Sequence, residues 1–260
     1  MAKNNGRTNP IFILFIFALL CVVLTLVVVF ALGYRYTGTN EGVKFFGKYK
    51  NGVPYSGTIY YPDGLRADLD YGSNTITYSN GDIYVGEITG ILRNGIGTMT
   101  YYSTNETYVG PFVNDAITGN GKYSFSNGTT YEGALSDNKK EGYGIITFSD
   151  GSTYEGYFSN DMMNGHGVYT WADTSCYKGN FINNIKSGKG EYTFANGDYY
   201  SGDWVNDMRT GYGVFTWANG ESYQGEFLDG KMHGYGTYTW TTGRRYEGYF
   251  EYGKIVVKEA

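Results

Sequence analysis

The sequence predicts an all-β protein: an elongated, single-layer antiparallel sheet of stacked β-hairpins, preceded by one transmembrane helix. Three observations predict it: a long uncharged apolar run near the N-terminus, a repeat of about 23 residues rich in Gly and Tyr, and turn dipeptides between alternating segments. The 260 residues contain 40 Gly and 29 Tyr but only 4 Pro. The glycines do not follow a Gly-X-Y period, which excludes collagen. The high aromatic content excludes a disordered chain.

The apolar run covers residues 11–32 and contains no charged side chain. At about 1.5 Å per residue, a helix of this length crosses the roughly 30 Å hydrocarbon layer of a bilayer. We expect an uncleaved anchor, because the apolar core of the alternative, a cleaved signal peptide, is usually only about 7 to 15 residues long. Lys3 and Arg7 precede the run and Arg35 follows it, so the positive-inside rule predicts cytoplasmic residues 1–10 and extracytoplasmic repeats.

The rest of the chain repeats a Tyr-x-Gly triplet. Successive triplets are 24 residues apart once and 23 residues apart six times, and each of the first seven is followed eleven residues later by Gly-x-Gly. The tyrosines of the triplets are Tyr84, Tyr108, Tyr131, Tyr154, Tyr177, Tyr200, Tyr223 and Tyr246. A period of this length is typical of a stack of supersecondary units in which each repeat contacts mainly its neighbours.

Each repeat has the pattern of a β-hairpin. In residues 223–243, two segments of period-two alternation are separated by Asp229-Gly230 and closed by Thr242-Gly243. Asn-Gly and Asp-Gly pairs suit tight turns that need positive φ. By alternation, the glycines and rings of the second strand share one face, where a ring can lie flat across a residue without a side chain. For one repeat, these residues are Gly211, Gly213, Phe215 and Trp217.

Residues 223–243 and 131–151 resemble the MORN repeat in their Tyr-x-Gly opening, Asn/Asp turn, Gly-x-Gly segment and closing turn glycine. The resemblance implies a twisted antiparallel sheet with a groove along one side, and roles in tethering, membrane association or scaffolding, with no single function. The predicted division of the chain is a cytoplasmic tail (1–10), a transmembrane helix (11–32), a flexible spacer (33–44), divergent repeats (45–83), MORN repeats (84–252) and a C-terminal tail (253–260).

The residue types that most often carry catalysis are expected to have structural roles in this chain. His166 and His233 are too scattered for a histidine-based zinc site, and Cys21 and Cys176 cannot build a disulfide framework. The Gly-x-Gly pairs do not lead from a parallel strand into a helix, as a phosphate-binding loop would require. We therefore expect no enzymatic activity and no catalytic, cofactor-binding or metal site.

Two functions remain. Residues 41–260 carry 17 basic and 25 acidic residues, a net charge of −8, which disfavours nucleic acid as a partner and direct lipid binding by the repeats. The first function is a membrane-tethered scaffold that presents an extended β-surface to an unknown protein. The alternative is recognition of a glycan or cell-wall polymer by the aromatic-rich groove, since rings stack on sugar faces.

Alternation assigns candidate residues to two faces of the predicted sheet. Six rings in equivalent positions are expected to form a structural aromatic stripe, stacked between neighbouring repeats. They are Phe125, Phe148, Trp171, Phe194, Trp217 and Trp240. The candidates for partner contact point to the opposite face and are Tyr143, Tyr212, Gln224 and Glu226.

Overall fold

A computed structural model describes residues 10–257, so most of the predicted cytoplasmic tail and the last three residues lie outside the described part of the chain. Helix α1 spans Pro10–Ala31 and is long and apolar enough to cross a membrane. Gly33 caps the C-terminal end of this helix: its φ is +84°, and its N–H donates a hydrogen bond to the carbonyl of Phe30 (3.0 Å). The chain divides into two compact units, the first ending at Ser103 and the second beginning at Thr104.

Unit 1 contains α1 and seven strands, each paired antiparallel with the next. The strands are β1 (Tyr34–Gly38), β2 (Lys44–Lys50), β3 (Val53–Tyr60), β4 (Arg66–Asp70), β5 (Thr75–Tyr78), β6 (Ile83–Thr89) and β7 (Leu92–Tyr101). One face of this sheet is buried and includes Phe45, Ile59, Leu69, Ile76 and Tyr84.

Strand β1 differs from the flexible spacer that the composition of residues 33–44 predicts. Tyr34 pairs with Lys48 and Tyr36 pairs with Phe46, so this segment is the first strand of the sheet. The Gly, Thr and Asn residues of the segment occupy the turn and the strand end, whereas its two tyrosines alternate with the period of a strand. A strand of five residues that contains only two aromatic side chains is too short to be recognised from composition alone.

Unit 2 is an antiparallel sheet of hairpins, as predicted. Its strands are β8 (Glu106–Val113), β9 (Ala116–Ile117), β10 (Gly119–Ser124), β11 (Thr130–Ser136), β12 (Lys139–Thr147), β13 (Thr153–Ser159), β14 (Met162–Thr170), β15 (Cys176–Ile182), β16 (Ile185–Thr193), β17 (Tyr199–Val205), β18 (Met208–Thr216), β19 (Ser222–Leu228), β20 (Lys231–Thr239), β21 (Arg245–Glu251) and β22 (Lys254–Val256). Strand β8 pairs with both β9 and β10, and from β10 onward each strand pairs with the next. Strand β22 lies within the predicted C-terminal tail.

The turns have the predicted chemistry. Within a hairpin, both turn residues have positive φ, for example 48° at Asn160 and 69° at Asp161. This is the type I′ geometry whose twist matches that of the flanking strands. Between hairpins, a glycine such as Gly151 has positive φ (87°), and the Asp150 carboxylate accepts a hydrogen bond from the Ser152 amide at 2.9 Å.

Each Gly-x-Gly pair contains two glycines with different functions. Gly211 has φ of +55° and lies where the pairing of β17 with β18 shifts register, so it belongs to a β-bulge. Gly213 and Phe215 are buried on the ring side, whereas Trp217 lies beyond the end of β18 and is half-buried. The prediction that these four residues share one face by simple alternation is therefore wrong at Gly211, because the bulge interrupts the alternation.

The largest fully buried side chains of the repeats are the Tyr-x-Gly tyrosines, and seven of the eight have 0% exposed surface. The Tyr177 ring lies across Gly179 of its own strand and Gly190 of the next strand, where an added Cβ would meet ring atoms. Its hydroxyl donates to the carbonyl of Asn180 (3.1 Å), next to the register shift. The bulge and the buried tyrosine thus form one structural unit in each repeat.

Candidate interaction surface

The sheet of unit 2 has two unlike faces. We call the side that holds the Tyr-x-Gly tyrosines the ring face, and the side that holds the residues alternating with them the open face. On β19, for example, Tyr223 and Phe227 are buried on the ring face, whereas Gln224 and Glu226 are exposed on the open face.

The predicted aromatic stripe lies on the ring face, and all six of its rings are half-buried. From Phe148 onward, one additional ring lies between successive members of the stripe. In each case this ring belongs to the residue two positions before the later member. The resulting chain of ring contacts has centroid separations of 4.4 to 5.8 Å and runs Phe148, Tyr169, Trp171, Tyr192, Phe194, Phe215, Trp217, Tyr238, Trp240. Phe125 contacts Tyr123 at 4.5 Å.

Cations of the protein itself fill spaces between these rings. The ammonium group of Lys186 lies 4.9 to 5.7 Å from four ring centroids and 3.9 Å from the Asp207 carboxylate. Arg209, one repeat further on, likewise lies over four rings and donates from Nη2 to the carbonyl of Gly230 at 2.8 Å. Burial lowers the pKa of both side chains. Cation–π contacts of this kind stabilise a desolvated charge.

Strand alternation alone does not predict that these cations lie among the rings. The signal is a basic residue nine positions after the Tyr-x-Gly tyrosine, as in Lys140, Lys186 and Arg209. At the same position, the other repeats of unit 2 have apolar side chains such as Met163 and Met232. This position pairs with the buried aromatic or aliphatic residue four places after the tyrosine, for example Lys186 with Phe181. Its side chain therefore enters the ring face in every repeat.

All four predicted partner-contact residues are exposed on the open face. Tyr143 (49% exposed) is paired across strands with Tyr157, their rings 5.4 Å apart, and its hydroxyl donates to the Glu155 carboxylate at 2.6 Å. This hydrogen bond to Glu155 raises the pKa of Tyr143. Tyr212 (52% exposed) is paired with Glu226, and Gln224 is paired with Val214.

The structure brings Tyr212 and Glu226 together but not Tyr143. Six strand steps separate Tyr143 on β12 from Tyr212 on β18, which corresponds to roughly 30 Å at about 4.8 Å per step. Between them, a shallow open-face groove of about 430 Å³ is lined by polar side chains and glycine backbone. Its polar lining residues include His166, Lys178, Asn180, Lys189, Glu191, Ser201 and Tyr212.

Within residues 10–257, the structure contains no cluster of three or more His, Cys, Asp or Glu residues that could hold a metal ion. His166 lies in the open-face groove, and the His233 ring packs 5.4 Å from Tyr252. Cys176 is a free thiol opposite Thr170 on the neighbouring strand.

Comparisons with known proteins identify the repeats. The model of the MORN repeat matches residues 84–105, 108–130, 131–153, 154–176, 177–199, 200–222 and 223–243, more than half of the chain. No curated protein matches the chain. Among solved structures, the TCP10 domain of Danio rerio CPAP in complex with a STIL peptide is 13% identical, with 87% of this chain and 98% of that chain covered and a TM-score of 0.47.

Two further solved structures are more distant. The SAS-4 (dCPAP) TCP domain of Drosophila melanogaster, in complex with a proline-rich motif of Ana2, is 16% identical, covering 85% of this chain and 90% of that one with a TM-score of 0.27. A streptogramin B lyase is 13% identical, covering 85% and 84% with a TM-score of 0.16. None of these TM-scores reaches 0.5. The seven matched repeats, with the turns, bulges and buried tyrosines described above, show that this chain belongs to the MORN repeat family.

Proposed function

We propose that this protein is a non-enzymatic, membrane-tethered scaffold whose open face binds another protein. The observation that carries the proposal is the set of tyrosines on that face, which are 45 to 52% exposed: Tyr143, Tyr157, Tyr212, Tyr235 and Tyr249. Tyrosine gives a large contact area at a small entropic cost and is enriched in protein interfaces. The ring face, in contrast, packs its rings on one another and fills the spaces between them with its own cations.

Glycan recognition is the second candidate function, and it would use the ring face. The half-buried rings of Trp171, Trp217 and Trp240 favour it, because their exposed parts could stack on a sugar. The two functions therefore differ in the face they require. Substitutions confined to one face distinguish between them.

We expect Tyr143→Ala combined with Tyr212→Ala to leave folding nearly intact and to weaken binding of the protein partner. Both rings are about half exposed, so their removal should cost well under about 1 kcal/mol of stability each. Trp217→Ala is the matched change on the ring face. It removes contacts with Phe215 (4.7 Å) and Tyr238 (5.2 Å) and should cost roughly 2 to 3 kcal/mol.

The measurement is a pull-down with the full chain in detergent, from lysate and from wall material, alongside thermal melting of each variant. The proposal requires a protein that binds wild type and the Trp217→Ala variant below its melting temperature, but not the tyrosine double variant. If Trp217→Ala melts like wild type and loses the ligand, the stripe is the binding surface, and capture of wall material in that case establishes the glycan function.

The tether requires α1 to span a membrane, with the repeats on the extracytoplasmic side. Two acceptor sequences for N-glycosylation, Asn105-Glu-Thr107 and Asn127-Gly-Thr129, have their asparagines in exposed turns of unit 2 and report this topology. Translation of the full chain into microsomes should give a carbonate-resistant, glycosylated product. Asn105→Gln with Asn127→Gln should abolish the glycan. A membrane-inserted product that is never glycosylated would place the repeats in the cytoplasm.

A further inference from the structure

A second surface, on unit 1, carries basic and aromatic side chains beside the end of α1. On β2, Lys44, Phe46, Lys48 and Lys50 are exposed, whereas Phe45 between them is buried. The partners of Phe46 and Lys48 on β1 are Tyr36 and Tyr34. These six exposed or half-buried residues form what we call the membrane-proximal patch: Tyr34, Tyr36, Lys44, Phe46, Lys48 and Lys50.

The aromatic members of the patch are arranged on the surface rather than in the core. The rings of Tyr34 and Phe46 stack with centroids 5.7 Å apart, and the Lys48 ammonium lies 5.4 Å from the centroid of Tyr34. Phe46 is 40% exposed and Tyr36 is 61% exposed. The fold of unit 1 therefore leaves apolar ring surface accessible between three lysines.

The patch is continuous with the helix. Only two residues separate the end of α1 at Ala31 from the start of β1 at Tyr34. One apolar groove, of about 820 Å³, is lined both by helix residues such as Phe30 and by Tyr36 and Phe46. A second groove on the patch, of about 490 Å³, shares Tyr36 and Phe46 and extends past Lys44 to Tyr60, Tyr61 and Pro62. A helix that spans the bilayer therefore places the patch at the depth of the lipid headgroups.

The charge of the patch is opposite to that of the chain. Strands β1, β2 and β3 contain Arg35, Lys44, Lys48 and Lys50 and no acidic residue, whereas residues 41–260 as a whole have a net charge of −8. On the strands of the same face, the first acidic side chains are Asp68 and Asp70 on β4, and one acid, Glu41, is exposed in the turn between β1 and β2. Amphipathic rings and basic side chains together are typical of protein surfaces at the membrane–water interface.

We propose that the membrane-proximal patch binds the anionic lipid headgroups of the bilayer that holds α1. Lys44, Lys48 and Lys50 contact the phosphate and carboxylate groups, and the rings of Tyr36 and Phe46 lie among the headgroups. The inference rests on the proposed tether, since the helix places the patch at the surface, and it holds for whichever leaflet the patch faces. It concerns the strands before the matched MORN repeats and not the acidic repeats themselves.

The test uses the full chain with Cys21→Ala, Cys176→Ser and Ser56→Cys, labelled at the new thiol with an environment-sensitive fluorophore. Ser56 is paired with Lys48, so the label lies at the patch. The protein is reconstituted into vesicles of phosphatidylcholine alone or with about 30 mol% phosphatidylserine, and a nitroxide on the lipid headgroup quenches the label. We expect quenching at least about twofold stronger in the anionic vesicles, and a loss of this difference in roughly 0.5 M salt.

Charge reversal supplies the matched comparison. Lys44→Glu with Lys48→Glu should abolish the difference between the vesicles, whereas Lys139→Glu with Lys231→Glu, which changes the net charge equally at exposed sites of unit 2, should preserve it. Circular dichroism of each variant establishes that the sheet is retained. Equal quenching in both vesicles, or an undiminished difference after reversal at the patch, would overturn the inference. Failure of the wild-type chain to float with either vesicle would instead overturn the tether.

Discussion

Gly190→Ala is expected to lower the free energy of unfolding by about 3 kcal/mol, although it adds only one methyl group. The new Cβ would lie 2.5 Å from atoms of the Tyr177 ring. That ring is fully buried and is held between Phe181 and Trp204, whose ring centroids are 5.1 and 5.2 Å away. Relief of the clash must therefore displace the ring and break its hydrogen bond to the carbonyl of Asn180.

Gly151→Ala is the matched control, because it separates the cost of a clash from the cost of backbone geometry. Gly151 has φ of +87°, but an added Cβ there meets no atom within 4 Å. Its replacement should cost only about 1 kcal/mol, the usual penalty for an L-residue in the left-handed region. Denaturant unfolding of the full chain in detergent, followed by tryptophan fluorescence, measures both variants. Equal losses would contradict the role assigned to the Tyr177 ring.

The repeat period, the hairpins and the turns could be predicted because each depends on local chemistry. Asn160 and Asp161 adopt positive φ for the reasons that make Asn and Asp common in tight turns, and Gly151 supplies the same geometry at the other end of the hairpin. The regular spacing of these residues then fixes the strand lengths. The fold class follows from the sequence without tertiary information.

The two functions of the Gly-x-Gly pair could not be predicted, because they depend on a register shift between strands. Alternation places Gly211 and Gly213 on one face, whereas the bulge turns Gly211 into a positive-φ residue and leaves Gly213 beneath the ring of Tyr200. The same shift explains why the Tyr-x-Gly tyrosine, and not the stripe ring, is the most deeply buried side chain of a repeat. The position of Lys186 among four rings also requires this tertiary geometry.

The exposure of residues on the open face could be predicted from the sequence. Tyr212 and Glu226 lie on strand segments where the alternation is regular between β18 and β19, so counting by two places both on the exposed side. Counting does not show that Tyr143 is about six strands away from them, because that separation follows from the pairing order. The candidate residues therefore mark one continuous face and not one compact site.

The protein is expected to unfold in alkali as the pH rises from about 10 to 12, the range set by its buried tyrosines. Burial raises the pKa of Tyr131, Tyr154, Tyr200 and Tyr223 to about 12, from an ordinary value of 10.0, and burial also raises the pKa of Tyr177. In the unfolded chain these phenols lose their protons near pH 10, whereas the folded chain retains them. Stability is therefore fully present below pH 10 and falls as the pH approaches the folded pKa, because the unfolded state then binds fewer protons.

Removal of one such phenol tests this explanation directly. Tyr154→Phe deletes the hydroxyl that donates to the carbonyl of Tyr157 (2.9 Å), so it should cost about 1 kcal/mol at neutral pH. Between pH 10 and 12 the same variant should lose stability less steeply, since it has one fewer proton to release on unfolding. Circular dichroism and tyrosinate absorbance, recorded together against pH, measure the loss of the sheet and the ionisation. If all the tyrosines ionise near pH 10 while the sheet persists, the buried phenols do not govern alkaline stability.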